Sequence, residues 1–422
     1  MTNPGPIQDA FLAETEAQPG LINGAQRTIT EEYTDRLLDL GLMARDIFPG
    51  GQIGAWGTGV PMHAGHVNAG DGPSFDDFHE ARFITETAIA RFTEAGASDN
   101  ILHQAWLWNG YSYRILGEWW CDTVLPTRDP TDTSPSEYIP GTTDPYFERA
   151  VESFTQALSY ATNADQRNAA LAGRASAHLW LGNWSEAYAD ADAVDDTEFT
   201  SVVRNDDSET DLYNYLAEAN SGTFRSYTVD FTWYKDYYED TGDPRVPSED
   251  SEEFPFGVGS LTGFGQVPYR PQLKYTSRTD PINLSSYWEM QLVKAEAILQ
   301  GADSGDPEDA MEVINDVRTR SGVEMDALPT NVSDAEAWEH LKRERRIELW
   351  LEGRNAPDER RWNEFGTPGE IDIPEWEDPE HPGYTPHFAS NPRGLDGGPL
   401  CWDIPTGERD QNPNVPSIQE GS

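Results

Sequence analysis

The chain has 422 residues, 37% of them hydrophobic and 11% aromatic, enough for one large core or two ordinary ones and too apolar for wholesale disorder. Lys+Arg number 29 against 75 Asp+Glu, a formal net charge of −46. That charge excludes nucleic acid and anionic lipid surfaces as partners, because their phosphates are repelled. The lysines are only Lys235, Lys274, Lys294 and Lys342, so arginine carries most of the positive charge. Such a surface suits solubility in concentrated salt, which screens its self-repulsion, and it predicts a halophilic source and a monomer in isolation. No apolar run approaches the roughly 20 residues that span a bilayer. The start MTNPGPIQDAFLAE has neither the basic nor the apolar region of a secretion signal.

In chain order, helical periodicity comes first: Tyr33, Leu37, Leu38 and Leu40 to Met43, then Phe83, Thr87, Ala90 and Arg91, then a run over 102–116, each an amphipathic helix. Between the first two lies FPGGQIGAWGTGVPMHAGHVNAGDGPSF (48–75), where glycine and proline deny regular structure, and a long irregular loop in a compact protein usually carries function. Trp106 and Trp108 fall within the third helix as core or interface residues. Trp119-Trp120 follows it, with a structural role and a neighbouring ligand pocket both open.

Over 146–194 the pattern becomes helix pairs of tetratricopeptide length. Ala172, Ala175 and Leu179 line one face, Leu181-Gly182-Asn183-Trp184 makes the turn, and Ala187, Tyr188 and Ala191 pack the return helix. Residues 195–283 read as a second irregular region rich in aromatic residues, among them Tyr213, Tyr215, Tyr227, Phe231, Trp233, Tyr234, Tyr237 and Tyr238, with RPQLKY at 270–275. A further helix pair follows, with Ala295-Glu296-Ala297 in its first helix and Ala310, Ile314 and Val317 in its second.

The stretch LKRERRIELWLEGRNAPDERRWNEFG (341–366) predicts helix, break, helix. Ile347, Trp350 and Leu351 share one face; Glu344, Glu348 and Glu352 recur at i+4 beside Arg345 and Arg346. Gly353 supplies a left-handed C-terminal position and Pro357 opens the next turn. Such arginines and glutamates are scaffold more often than catalyst. Beyond Glu364 the chain is rich in proline and ends in CWDIPTGERDQNPNV. Cys121 and Cys401 leave two buried thiols and one bridge equally open.

The string RRIELWLEGRNAPDERRW closely resembles the RR-x-EL-x-FEG-x-R-x-x-D-x-x-RW block of the SusD/RagB-like family, nutrient-binding lipoproteins that partner TonB-dependent transporters. LVKAEAI followed by AMEVINDVRTRSG is similar to that family's AEA-then-IN-x-VR-x-R-x-G pattern, and Asn412-Pro413 to its closing segment; the pieces run in the family's order from about Asn23 to Pro413. The resemblance implies a mainly α fold of one SusD-like domain over 1–422. The helical scaffold would cover about 25–47, 78–194 and 285–365, and irregular ligand-facing segments about 48–77, 195–284 and 366–422. It implies a non-enzymatic protein, lipid-anchored on the outward face of the outer membrane, that delivers an oligosaccharide or other nutrient to its transporter. Family members begin with a signal ending at a lipidated cysteine, which nothing here matches, so Met1 reads as a start added to a trimmed mature chain. The alternatives are a tetratricopeptide adaptor for peptides or proteins and, third, a secreted glycoside hydrolase.

Chemistry-bearing motifs are scarce. His63 and His66 lie close together without HExxH or paired CxxC, and Asp71, Asp76 and Asp77 do not follow the EF-hand spacing. With neither a GxSxG elbow nor a phosphate loop, no catalytic residue, metal or cofactor is expected. Aromatic rings in irregular loops suit sugars, whose C–H faces stack on them while hydroxyls meet polar groups. The candidate ligand residues are therefore Trp56, Asn68, Trp233, Tyr234, Tyr237 and Arg270.

Overall fold

The structure is a computed structural model that describes residues 17–51, 67, 69–127, 134–259, 266–303, 305–370 and 400–418. Helix α1 is Gln18–Met43, β1 is Phe48–Pro49, α2 is Phe75–Ala95 and α3 is Asp99–Trp119, with the hairpin β2 (Thr123–Leu125) and β3 (Glu137–Ile139) after it. Helices α4 (Asp144–Ser159), α5 (Ala164–Trp180) and α6 (Trp184–Asp192) complete the first half. Strand β4 (Thr200–Val203), α7 (Tyr215–Ala219), β5 (Tyr227–Thr228), α8 (Trp233–Thr241) and β6 (Ile282–Ser286) come next. Then follow α9 (Tyr287–Leu299), α10 (Pro307–Thr319), α11 (Asp334–Glu348), α12 (Asn355–Phe365) and the short α13 (Thr406–Gln411). The architecture is mainly α, as the sequence predicts. Its strands form only two-stranded antiparallel pairs, β1 with β5, β2 with β3 and β4 with β6.

Sequential helices pack as antiparallel neighbours, α3 on α4, α4 on α5, α5 on α6 and α9 on α10, as short connections between apolar stripes require. Small residues set how closely they approach. Gly110 of α3 and Gly173 of α5 both face Phe154 of α4, and a Cβ on Gly110 would stand 2.7 Å from that ring. Caps close several ends: Ser333 and Glu336 form a reciprocal capping box on α11, while Asn163, Ser286 and Asp306 accept first-turn N–H groups of α5, α9 and α10.

Three sequence expectations need correction. On α2 the buried stripe is Phe78, Ala81, Thr85, Ala88, Ile89 and Phe92, so Phe83, 49% exposed, and Ala90 lie on the outer face; the inward register holds the larger continuous run at i, i+3, i+4. Helix α11 ends at Glu348, earlier than its pattern suggests, and Trp350 and Leu351 are buried from a turn in which Leu351 and Gly353 both have positive φ. Residues 195–283 are not irregular throughout, since they hold α7, α8 and strands β4, β5 and the start of β6. At the Trp119-Trp120 turn, where a structural role and a neighbouring pocket are both open from sequence, the two indoles are fully buried against Trp402 and therefore structural.

The question left open about the cysteines is answered: Cys121 and Cys401 form a disulfide across a sequence separation of 280. Around it Trp402 donates its N–H to the Trp119 carbonyl at 2.7 Å, and Cys121 donates to the Trp402 carbonyl at 3.0 Å. The segment 400–418 is thereby fastened onto the end of α3.

Candidate ligand-binding face

Most of the arginines of 341–366 face inward, and Arg345, Arg346, Arg354 and Arg361 each meet a carboxylate from another element. Arg345 and Arg361 share Asp358, and Arg361 also holds Glu296 of α9, to which Trp362 donates its Nε1–H at 3.0 Å. Burial alone would raise the Asp358 carboxyl, but the two guanidiniums hold it below the usual carboxylate range. The two stretches that carry the family resemblance therefore meet at one ion cluster. Arg354 joins Glu118 of α3 at 3.1 Å and Glu289 of α9 at 2.9 Å, while Arg318 bonds Glu344 at 2.7 Å and Arg320 bonds Glu348 at 2.8 Å. A charge taken out of water needs its partner in contact, so these pairs fix how α3, α9, α10, α11 and α12 sit.

One such node lies directly behind the predicted ligand residues. Asp46 accepts from Asn355 at 2.9 Å and from the Tyr234 hydroxyl at 2.8 Å, with Arg346 at 3.7 Å. Burial pushes its carboxyl up to about 6 against these partners. The folded state therefore binds this proton more tightly than the unfolded chain, whose value is near 3.8. Its contribution to stability is present below that value and is lost as pH rises to about 6. Asp46→Asn should remove a component on the order of 2–3 kcal/mol from the pH dependence over that window. Urea unfolding of both proteins between pH 4 and 7 measures it, and parallel stability curves would refute the assignment.

Helix α8 presents the aromatic face. Trp233 and Tyr237, one turn apart, lie nearly parallel with ring centroids 4.7 Å apart and 18° between planes, both partly exposed. Tyr237 donates to Asp243 at 2.8 Å, and burial, with Asp243 beside it, pushes its phenol up to about 12. Tyr234 points the other way: it is buried, stacks on Trp350 at 5.2 Å and bonds Asp46. Arg270 is 5% exposed, with Glu239 at 2.6 Å and Asp250 at 3.1 Å, so its charge is already matched and it fastens α8 to the segment before β6. The structure brings Trp233, Tyr234, Tyr237 and Arg270 together on and beside one helix. Trp56 and Asn68 lie outside the described residues.

A second concavity, of about 350 Å³, opens beside the disulfide between the turn into α4 and the C-terminal half of α12. From sequence a pocket beside the Trp119-Trp120 turn is one of two open readings, but the walls of this one come from segments around 121, 141–144, 360–364 and 400 that no spacing unites. Among the described residues, no cluster of three or more His, Cys, Asp or Glu could hold a metal ion, and no helix is long and apolar enough to cross a membrane.

Helix pairs of tetratricopeptide type, bound through a buried arginine-carboxylate block and flanked by an aromatic helix, define the SusD-like class of fold. The family model described as the SusD family matches residues 272–418. In structure the chain is similar to a SusD superfamily protein from Bacteroides thetaiotaomicron VPI-5482, with a TM-score of 0.73 and 19% identity over 95% of this chain and 98% of that one. A SusD homolog from the same organism gives a TM-score of 0.70 and 13% identity over 97% and 98%. A SusD-like carbohydrate binding protein from Bacteroides vulgatus ATCC 8482 gives 0.65 and 18% over 82% and 83%. No curated protein matches the chain in sequence. The SusD family is thus matched over residues 272–418, and the fold is like that of SusD superfamily proteins over nearly the whole chain.

Proposed function

We propose that this protein is a non-enzymatic, cell-surface binding protein that captures an oligosaccharide and delivers it to a TonB-dependent outer-membrane transporter, lipid-anchored in its full-length form. The observation that carries this reading is the Trp233–Tyr237 pair, two nearly parallel, partly exposed rings on a helix anchored by the buried Tyr234 and by the Glu239–Arg270 ion pair. Rings in that arrangement offer a flat apolar step to the C–H face of a sugar. The similarity in fold to a SusD-like carbohydrate binding protein favours the same ligand class. Glu118, Glu289, Glu296 and Glu344 are buried and each engaged by guanidinium groups, so these four carboxylates serve the scaffold.

Trp233→Ala should weaken oligosaccharide binding about five- to tenfold, since an aromatic contact contributes on the order of 1 kcal/mol beyond area burial. Because Trp233 also packs against the core, some loss of Tm accompanies it. Tyr234→Phe is the complementary control, lowering Tm through the lost Asp46 bond while leaving affinity alone. Calorimetric titration against soluble oligosaccharides decides: a folded Trp233→Ala protein with unchanged affinity would sink this reading, and Trp56→Ala and Asn68→Ala then become the next variants. Co-purification of a TonB-dependent barrel with the tagged full-length protein tests the delivery step.

A further inference from the structure

The cleft beside the disulfide has a built character. Its floor is the Cys121–Cys401 bridge with Leu400. One wall is the turn into α4, where Gly141 donates to Asp122 at 2.7 Å and Thr123 donates to the Thr142 carbonyl at 2.8 Å. The opposite wall is α12, where Arg360 donates to the Trp120 and Gly117 carbonyls, both at 2.8 Å, closing the C-terminal end of α3. Both walls are thus fixed to the peptide around Cys121, so the cleft exists before any ligand arrives and binding costs little reorganisation.

Its chemistry narrows the ligand. Among the described residues of its lining none is aromatic, so what these residues offer is hydrogen bonding and not ring stacking. Asp144 and Glu364 are exposed carboxylates on that lining, which repel an anion, and among the described residues two carboxylates are too few to cage a hard cation. An apolar ligand would strip water from Asn363, Thr142 and both acids without replacing their hydrogen bonds. Arg360 builds the wall and is not a free donor: it is buried, two of its nitrogens bond the Trp120 and Gly117 carbonyls, its Nε faces Glu364 at 3.5 Å, and its guanidinium lies over the Trp180 ring at 4.7 Å. The carboxylates of Asp144 and Glu364 supply acceptors, and the Asn363 amide supplies donors, around a space at the lower end of the roughly 300–1,000 Å³ typical of small-molecule sites.

We propose that this cleft is a polar sugar subsite that takes one neutral residue of a glycan, its hydroxyls donating to Glu364 and Asp144 and accepting from Asn363. It shares no residue with the Trp233–Tyr237 face and reads hydroxyl positions, where that face reads a ring surface. The proposal rests on the glycan-binding reading above.

The test is titration calorimetry of the whole chain with neutral tetrasaccharides of glucose, mannose and galactose, and with a tetrasaccharide of galacturonate. Asn363→Ala, Glu364→Gln and Trp233→Ala are titrated in parallel, with Tm recorded for each. Asn363 and Glu364 are exposed, so their substitution leaves Tm within a degree or so. A neutral tetrasaccharide should bind the unaltered protein, and each cleft variant should bind it about tenfold more weakly. If a neutral glycan binds but both cleft variants keep full affinity while Trp233→Ala loses it, the cleft proposal is overturned and the glycan-binding function stands. Preference for the galacturonate probe overturns the ligand class. Absence of binding by all four probes overturns both the proposal and the reading on which it rests.

Discussion

Glu296→Ala is expected to destabilise the protein by about 3–5 kcal/mol, the range for removing one member of a buried charge cluster. Glu296 is fully buried on α9 and takes hydrogen bonds from Arg361 and Trp362 of α12, with Arg345 of α11 3.7 Å away. Without it, two buried guanidiniums share the single carboxylate of Asp358, and the Trp362 N–H loses its acceptor. The uncompensated charge, more than the lost contact, sets the size of the effect. Glu296→Gln keeps an acceptor for Trp362 but not the charge, so it should fall between alanine and the unaltered protein. Glu364→Ala is the contrast: the same kind of arginine pair, but 58% exposed, should cost less than about 1 kcal/mol. Urea unfolding with an unchanged m-value measures all three. A loss below about 1 kcal/mol for Glu296→Ala would mean that water reaches the cluster and that it does not lock α9 to α12.

The legibility of that cluster has a physical reason. Arginines and glutamates at 3–4-residue spacing around a glycine stop must find partners, so the sequence marks 341–366 as scaffold, and the AEA stretch at 295–297 supplies the carboxylate. The helix pairs were equally legible, because alanine and glycine at helical spacing have one use, close packing. Where two faces of a helix were both plausible the pattern misled, as with α2, whose Phe83 stands in solvent. In the 195–283 region, clustered aromatics have no period, so the short helix α8 passed for loop. Its successive residues Trp233 and Tyr234 then looked equivalent, although adjacent positions on a helix point about 100° apart and Tyr234 is core. The disulfide and the cleft are legible only as open alternatives. Both depend on segments hundreds of residues apart that only the tertiary fold brings together.

Cys121→Ser with Cys401→Ser is expected to cost about 2–5 kcal/mol and to loosen residues 400–418 first. For a bridge spanning 280 residues, the chain-entropy model gives about 5.6 kcal/mol, mostly as extra freedom regained by the unfolded chain. Measured effects fall short of that model for long loops, so the lower part of the range is included. The native placement of the segment should survive, because Trp402 is buried against Trp119 and Trp120 with centroids 5.6 and 5.3 Å away, and Asp403 accepts from the Gly70 N–H at 2.6 Å and pairs with Arg409 at 2.6 Å. Hydrogen exchange should therefore show faster amides at Trp402 and Asp403 while the amides of α4 and α5 keep their rates, alongside a lower Tm. Equal Tm and equal exchange would mean that these contacts alone hold the segment and that the bridge adds nothing. Since the bridge also floors the cleft, the same double variant should weaken a glycan held by Asn363 and Glu364, yet leave contacts made through Trp233 in place.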